Sequence, residues 1–130
     1  MICVPVGDKA RASIAEEAVR NTSKDAVTVT DVSLAGKQAK VVDWFLTENE
    51  WPDAGVLTRD LPDPGDARLA NTVGPGKVAL VAFTVQADHL VTPMNTRVWV
   101  SYKSPEGRGH LRLVWRVRFM PRGQACGMSE

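Results

Sequence analysis

The chain has little of the side-chain chemistry on which catalysis and metal binding depend. Its 130 residues hold two cysteines, two histidines and one tyrosine. Neither G-x-S-x-G nor H-E-x-x-H occurs, and His89 and His110 stand in different turns without an adjacent nucleophile motif. No run approaches 18 consecutive apolar residues, which excludes a membrane-spanning helix. Met1-Ile2-Cys3-Val4-Pro5-Val6 has neither a basic start nor a long apolar stretch and does not read as a signal peptide. What is present is ordinary for one folded domain over residues 1–130: 44% apolar and 24% charged, enough to bury a core without metal.

The strongest pattern is Leu111–Phe119, where Leu111, Leu113, Trp115, Val117 and Phe119 alternate with Arg112, Val114, Arg116 and Arg118. That period of two predicts a single strand with one apolar and one basic face. Val98–Tyr102 precedes it, joined by Lys103–Gly109, whose Pro and Gly predict a hairpin loop. Val27–Leu34 and Val78–Val85 are further strands, and Ala39–Leu46 another. Ser13–Arg20 has helical propensity, yet the polar turn Asn21–Asp25 before Val27 favours a hairpin, so a strand is expected. The count is about seven strands and no helix, the pattern of an antiparallel β-sandwich.

Between Thr47 and Gly76 the alternation fails. Four prolines, four glycines and a concentration of carboxylates predict a long loop, of the kind that is either functional or mobile. Charge is unevenly spread: residues 1–66 hold 7 Lys/Arg against 12 Asp/Glu, residues 67–130 hold 9 against 3. Such asymmetry bears on partners and solubility rather than on fold.

Candidate chemistries each meet a plainer competitor. Gly74-Pro75-Gly76-Lys77 lacks the spacing of a phosphate loop and precedes a strand, so it reads as a turn. Asp60, Asp63 and Asp66 offer hard-cation ligands, but without the calcium-loop spacing a solvated acidic loop is the better reading. His89, Met94, His110 and Met120 include soft copper ligands, which makes a cupredoxin-like metallochaperone the alternative class. A small hydrolase would require Asp43, His110 and an unidentified serine to converge. Asn21-Thr22-Ser23 fits the glycosylation sequon and equally fits a hairpin turn, which is the reading adopted. No cofactor and no catalytic residue is expected.

The basic face carries more. With Val98, Val100 and Tyr102 inward on one strand and Trp115 inward on the next, Arg97, Trp99, Lys103, Arg112, Arg116 and Arg118 would form an outward patch around an exposed indole. Arg and Trp are frequent contact residues, so this is the candidate binding site, and local Arg–Trp stabilisation is its competitor. The near-neutral total charge disfavours nucleic acid. Cys3 and Cys126 stand near the two ends. A sandwich can bring first and last strands together, so a bridge is geometrically open, as are two free thiols. A bridge would be worth about 4 kcal/mol in the chain-entropy model.

Residues 18–34, Val73-Gly74-Pro75-Gly76 leading into a strand, Thr96–Phe119 and the cysteine beyond it together resemble secreted or membrane-anchored Ig-like domains of high-GC bacteria. The resemblance covers about half the chain. It implies an Ig-like sandwich, an extracytoplasmic location, an oxidised Cys3–Cys126 pair and a non-enzymatic role. The expected partner is a protein or an anionic envelope polymer.

Overall fold

The computed structural model describes residues 1–127. Twelve strands run in chain order: β1 (Ile2–Pro5), β2 (Arg11–Arg20), β3 (Val27–Leu34), β4 (Lys40–Thr47), β5 (Gly55–Leu57), β6 (Arg68–Leu69), β7 (Thr72–Val73), β8 (Val78–Gln86), β9 (Met94–Thr96), β10 (Val98–Ser104), β11 (Gly107–Arg112) and β12 (Val117–Met120). A single 3-10 turn spans Gly65–Ala67, and no α-helix occurs among the described residues. They form three hydrogen-bonded sheets of order β5-β2-β8-β4-β6, β11-β10-β3-β7 and β1-β12-β9. The pairs are antiparallel except β1 with β12. The all-β expectation holds. The excess over seven strands comes from short pairings in the acidic segment and from one long hairpin divided in two.

Tertiary pairing overrides helical propensity in β2, which pairs with β8 from Arg11↔Gln86 to Arg20↔Val78. Its irregularity between Ile14 and Glu17 is a one-residue bulge. The bulge sets Glu17 opposite Val81, on the same side as Ile14. The main core lies on that side. Ile14, Leu46, Val81, Phe83 and Val85 of the five-stranded sheet pack with Val29, Val32, Val98 and Val100, and with Val4, Val117 and Phe119. Burying a side chain of that size contributes about 1.5–3 kcal/mol.

The opposite face of the five-stranded sheet is covered too. Phe45, Leu80, Ala82 and Ala15 pack with Trp51, flanked by Leu61 and Ala67. Trp51 is 4% exposed and meets Phe45 edge-on, ring centroids 5.7 Å apart. Arg68 lies over the Phe45 ring, 5.4 Å from its centroid. The segment expected as a long loop is thus a lid held down by a tryptophan, while Asp60, Asp63 and Asp66 on it stay exposed to solvent. The lid is why β8 is buried from Ala79 to Val85 without the alternation of a half-exposed strand.

Cys3 on β1 and Cys126 are disulfide-bonded, with Cα atoms 6.1 Å apart across a sequence separation of 123. The turn after β12, where Gln124 N donates to Pro121 O at 3.0 Å, brings the chain back to β1.

The expected continuous strand Leu111–Phe119 is interrupted. Trp99 faces Arg112, and Leu113 N donates to Val98 O, after which pairing resumes with Thr96 opposite Val117. One strand advances two residues while the other advances four, so two residues are looped out. Leu113, Val117 and Phe119 keep the inner face, at 4%, 2% and 0% exposure, whereas Val114 and Trp115 reach 78% and 51%. Trp115 is therefore not a core residue. Leu111 does face inward, opposite Val100, but sits on an edge strand with nothing beyond it to cover it.

Candidate binding surface

The two strands β10 and β11 form a regular ladder around the two-residue turn Pro105–Glu106, with Ser104 opposite Gly107. Alternation along it is fixed by the buried Val98 and Val100, so Trp99, Ser101 and Lys103 face out. Opposite them stand Arg112, His110 and Arg108 respectively. Trp99 is half-buried and meets His110 edge-on, centroids 6.1 Å apart. The outer face of this hairpin therefore presents Lys103, Arg108 and Arg112 around the Trp99–His110 pair. Inside the ladder Tyr102 lies opposite Gly109, and a Cβ on Gly109 would meet the Tyr102 hydroxyl at 2.6 Å. A larger residue there would require the Tyr102 ring to shift.

Of the six expected contact residues, Trp99, Lys103 and Arg112 share this face. Arg97 and Arg116 sit at the looped-out end of the ladder. Arg97 donates to Val114 O at 2.9 Å. Its guanidinium is held below the ordinary arginine value by lost solvation and then by the positive charges of Arg112 and Arg116, with Glu17 acting in the opposite sense. The carboxylate of Glu17 accepts from Val114 N at 2.7 Å and Trp115 N at 2.9 Å. Arg118 belongs to another sheet: it lies on β12 opposite Asn95 and donates to the Asn95 side chain at 2.9 Å.

Pro105, Gly107 and Gly109 make Arg108 and His110 read as loop residues in the sequence. The signal that marks them is the alternation itself, which runs back unbroken from Arg112 through His110 to Arg108.

The other candidate sets are not assembled. Met94 is buried in β9, His110 is on the outer face of β11, and His89 is exposed after β8. Asp43 is on β4 in the five-stranded sheet, away from His110. Asp60 pairs with Arg11 at 3.2 Å, and Asp63 accepts from Gly65 N at 3.0 Å. No group of three or more potential metal ligands from His, Cys, Asp and Glu occurs among the described residues. Asn21 of the sequon is buried and fully engaged. Its amide nitrogen donates to Asp25 O and Val73 O, and its oxygen accepts from Ser23 N and Ser23 Oγ.

No protein-family profile matches the chain, and no curated protein does. Among solved structures it is similar to the VesB protease of Vibrio cholerae, with 12% identity and a TM-score of 0.43. The likeness covers 92% of this chain and 30% of that one. At that identity and score it carries no argument about activity.

Proposed function

We propose that this is an Ig-like, extracytoplasmic binding domain without enzymatic activity, acting at the cell envelope through the cationic-aromatic face of β10 and β11. The observation that carries the reading is the set Trp99, Lys103, Arg108, His110 and Arg112 on one exposed face. The remaining outward side chain of the two strands is the small Ser101, with the exposed Asp31 of β3 opposite it on the same face. A flat array of guanidinium groups beside an indole recognises carboxylates and other anions through charge-assisted hydrogen bonds, with the ring supplying apolar contact. The Cys3–Cys126 bridge supports an oxidising compartment. No helix in the described residues is long and apolar enough to cross a membrane.

The test is a calorimetric titration of the intact chain with polyglutamate and with polyphosphate, at low and at physiological salt. Binding that weakens with salt, and that Arg108→Glu with Arg112→Glu abolishes in a folded variant, is the expected result. Absence of binding to either anion at low salt removes the reading. Stoichiometric tight uptake of Cu(I) or Cu(II) in a parallel titration would replace it with the metallochaperone alternative.

A further inference from the structure

We propose that β11 is a strand-addition edge. An extended peptide of alternating acidic and apolar residues pairs with Gly107–Arg112, its acidic side chains beside Arg108, His110 and Arg112, its apolar ones in the cleft behind. The proposal rests on the binding reading above and names the partner class.

Three features converge on this edge. First, β11 is the outermost strand of its sheet and six residues long, and no strand pairs with its outer side among the described residues. Leu113 N donates to Val98 O, so alternation of the antiparallel ladder turns the main-chain groups of Arg112, His110 and Arg108 toward the open edge. Unpaired donors and acceptors in that row are a template for another strand.

Second, the sandwich is open beside this strand. The ladder between β2 and β5 stops at Ala15, leaving Glu16–Arg20 as a second free edge. Between the two edges lies a cleft of about 290 Å³, with Val19, Val27, Val29, Tyr102 and Leu111 in its lining. Leu111 is 38% exposed there because nothing covers it. Inward side chains of an added strand would fall on the same face as Leu111 and enter this cleft.

Third, charge selects the occupant. The outward side chains of β11 are Arg108, His110 and Arg112, with Lys103 one strand away. A second copy pairing antiparallel through β11 about His110 would set Arg108 against Arg112, and like charges directly opposite are destabilising. An acidic strand satisfies the same positions. In that register like charge disfavours self-pairing, whereas a carboxylate-bearing peptide is favoured at the same positions.

The probes are a peptide of about eight residues alternating glutamate and valine, its twin N-methylated at every second residue, and polyphosphate. The full-length protein is isotope-labelled for amide exchange. Strand addition predicts that the parent peptide slows exchange of the Arg108, His110 and Arg112 amides about tenfold or more. It also predicts that the N-methylated twin, with the same charge but fewer donors, binds at least about tenfold more weakly. Leu111→Glu, at a part-exposed position, should weaken the parent peptide while leaving the domain folded. Equal binding of both peptides without protection of those amides overturns strand addition and leaves the binding face standing. Polyphosphate binding as tightly as the parent peptide, again without protection, overturns it likewise. Failure of every anion to bind removes the binding reading and this proposal together.

Discussion

Glu17 and Trp115 are joined across the open side of the sandwich: one carboxylate oxygen of Glu17 accepts from the Trp115 main-chain N–H at 2.9 Å, the other from that of Val114 at 2.7 Å. Two irregularities meet in this contact. The bulge in β2 turns Glu17 inward, and the two-residue insertion after Leu113 exposes the donors it needs. A carboxylate receiving two backbone N–H groups makes a charge-assisted pair stronger than a neutral one. Glu17→Ala should cost about 1–2 kcal/mol, read by denaturant unfolding. The Val114 and Trp115 amides should exchange faster in the variant. Glu17→Gln, which keeps one acceptor oxygen, should fall between; a Gln variant as unstable as the Ala variant would mean that charge rather than geometry holds the insertion.

Asn21 closes the turn between β2 and β3 and reaches the strand beyond. Its amide nitrogen bonds Asp25 O at 2.7 Å and Val73 O at 2.9 Å. Asn21→Asp exchanges that donor for an oxygen facing two carbonyls, so it should destabilise by about 2 kcal/mol or more, measured by thermal unfolding. Asn21→Ser should cost less than the isosteric aspartate. If Asp is tolerated as well as Ser, the two donor bonds contribute nothing.

The tryptophans separate by environment rather than by sequence pattern. Trp51→Ala empties the cluster over Phe45 and should cost about 3–5 kcal/mol. Limited proteolysis should then cut between residues 48 and 67, which the wild type protects. Trp115→Ala removes a half-exposed ring and should cost about 1 kcal/mol or less. Trp99→Ala should be similarly mild. Equal losses at Trp51 and Trp115 would contradict the looped-out position of Trp115.

Much of this arrangement is legible in the chain and the rest fails for identifiable reasons. Val27–Leu34, Val78–Val85 and Val98–Tyr102 alternate or run apolar as strands should, and the in/out parity of Val98, Trp99 and Val100 is as expected. The insertion after Leu113 could not be seen because it is even: two extra residues return the chain to the same face, so alternation continues through a place where the strand does not. The cover over the five-stranded sheet is a non-local contact, and only the lone Trp51 in a polar stretch marks it. On the candidate binding face, Trp99, Lys103 and Arg112 are legible from parity. Arg108 and His110 were hidden by neighbouring glycines, and Arg118 was misplaced because alternation does not say that β12 leaves the sheet of β11.

Cys3 and Cys126 join β1 to the segment after β12, closing nearly the whole chain. β1 also pairs with β12 in parallel, from Ile2↔Val117 to Pro5↔Met120, and Val4 and Phe119 of that pair are fully buried. The bridge thus adds to a strand pair that already has its own ladder and core contacts. Cys3→Ser with Cys126→Ser should lower unfolding free energy by about 2–5 kcal/mol, chiefly by releasing the unfolded chain. The fold should persist at room temperature, with fraying confined to β1 in amide exchange. Intact protein from an oxidising compartment should weigh about 2 Da less than the reduced chain, one hydrogen per sulfur. Two free thiols there would count against the bridge and against the extracytoplasmic reading. Global unfolding of the double serine variant would show instead that the sheet of β1, β9 and β12 depends on the disulfide to form.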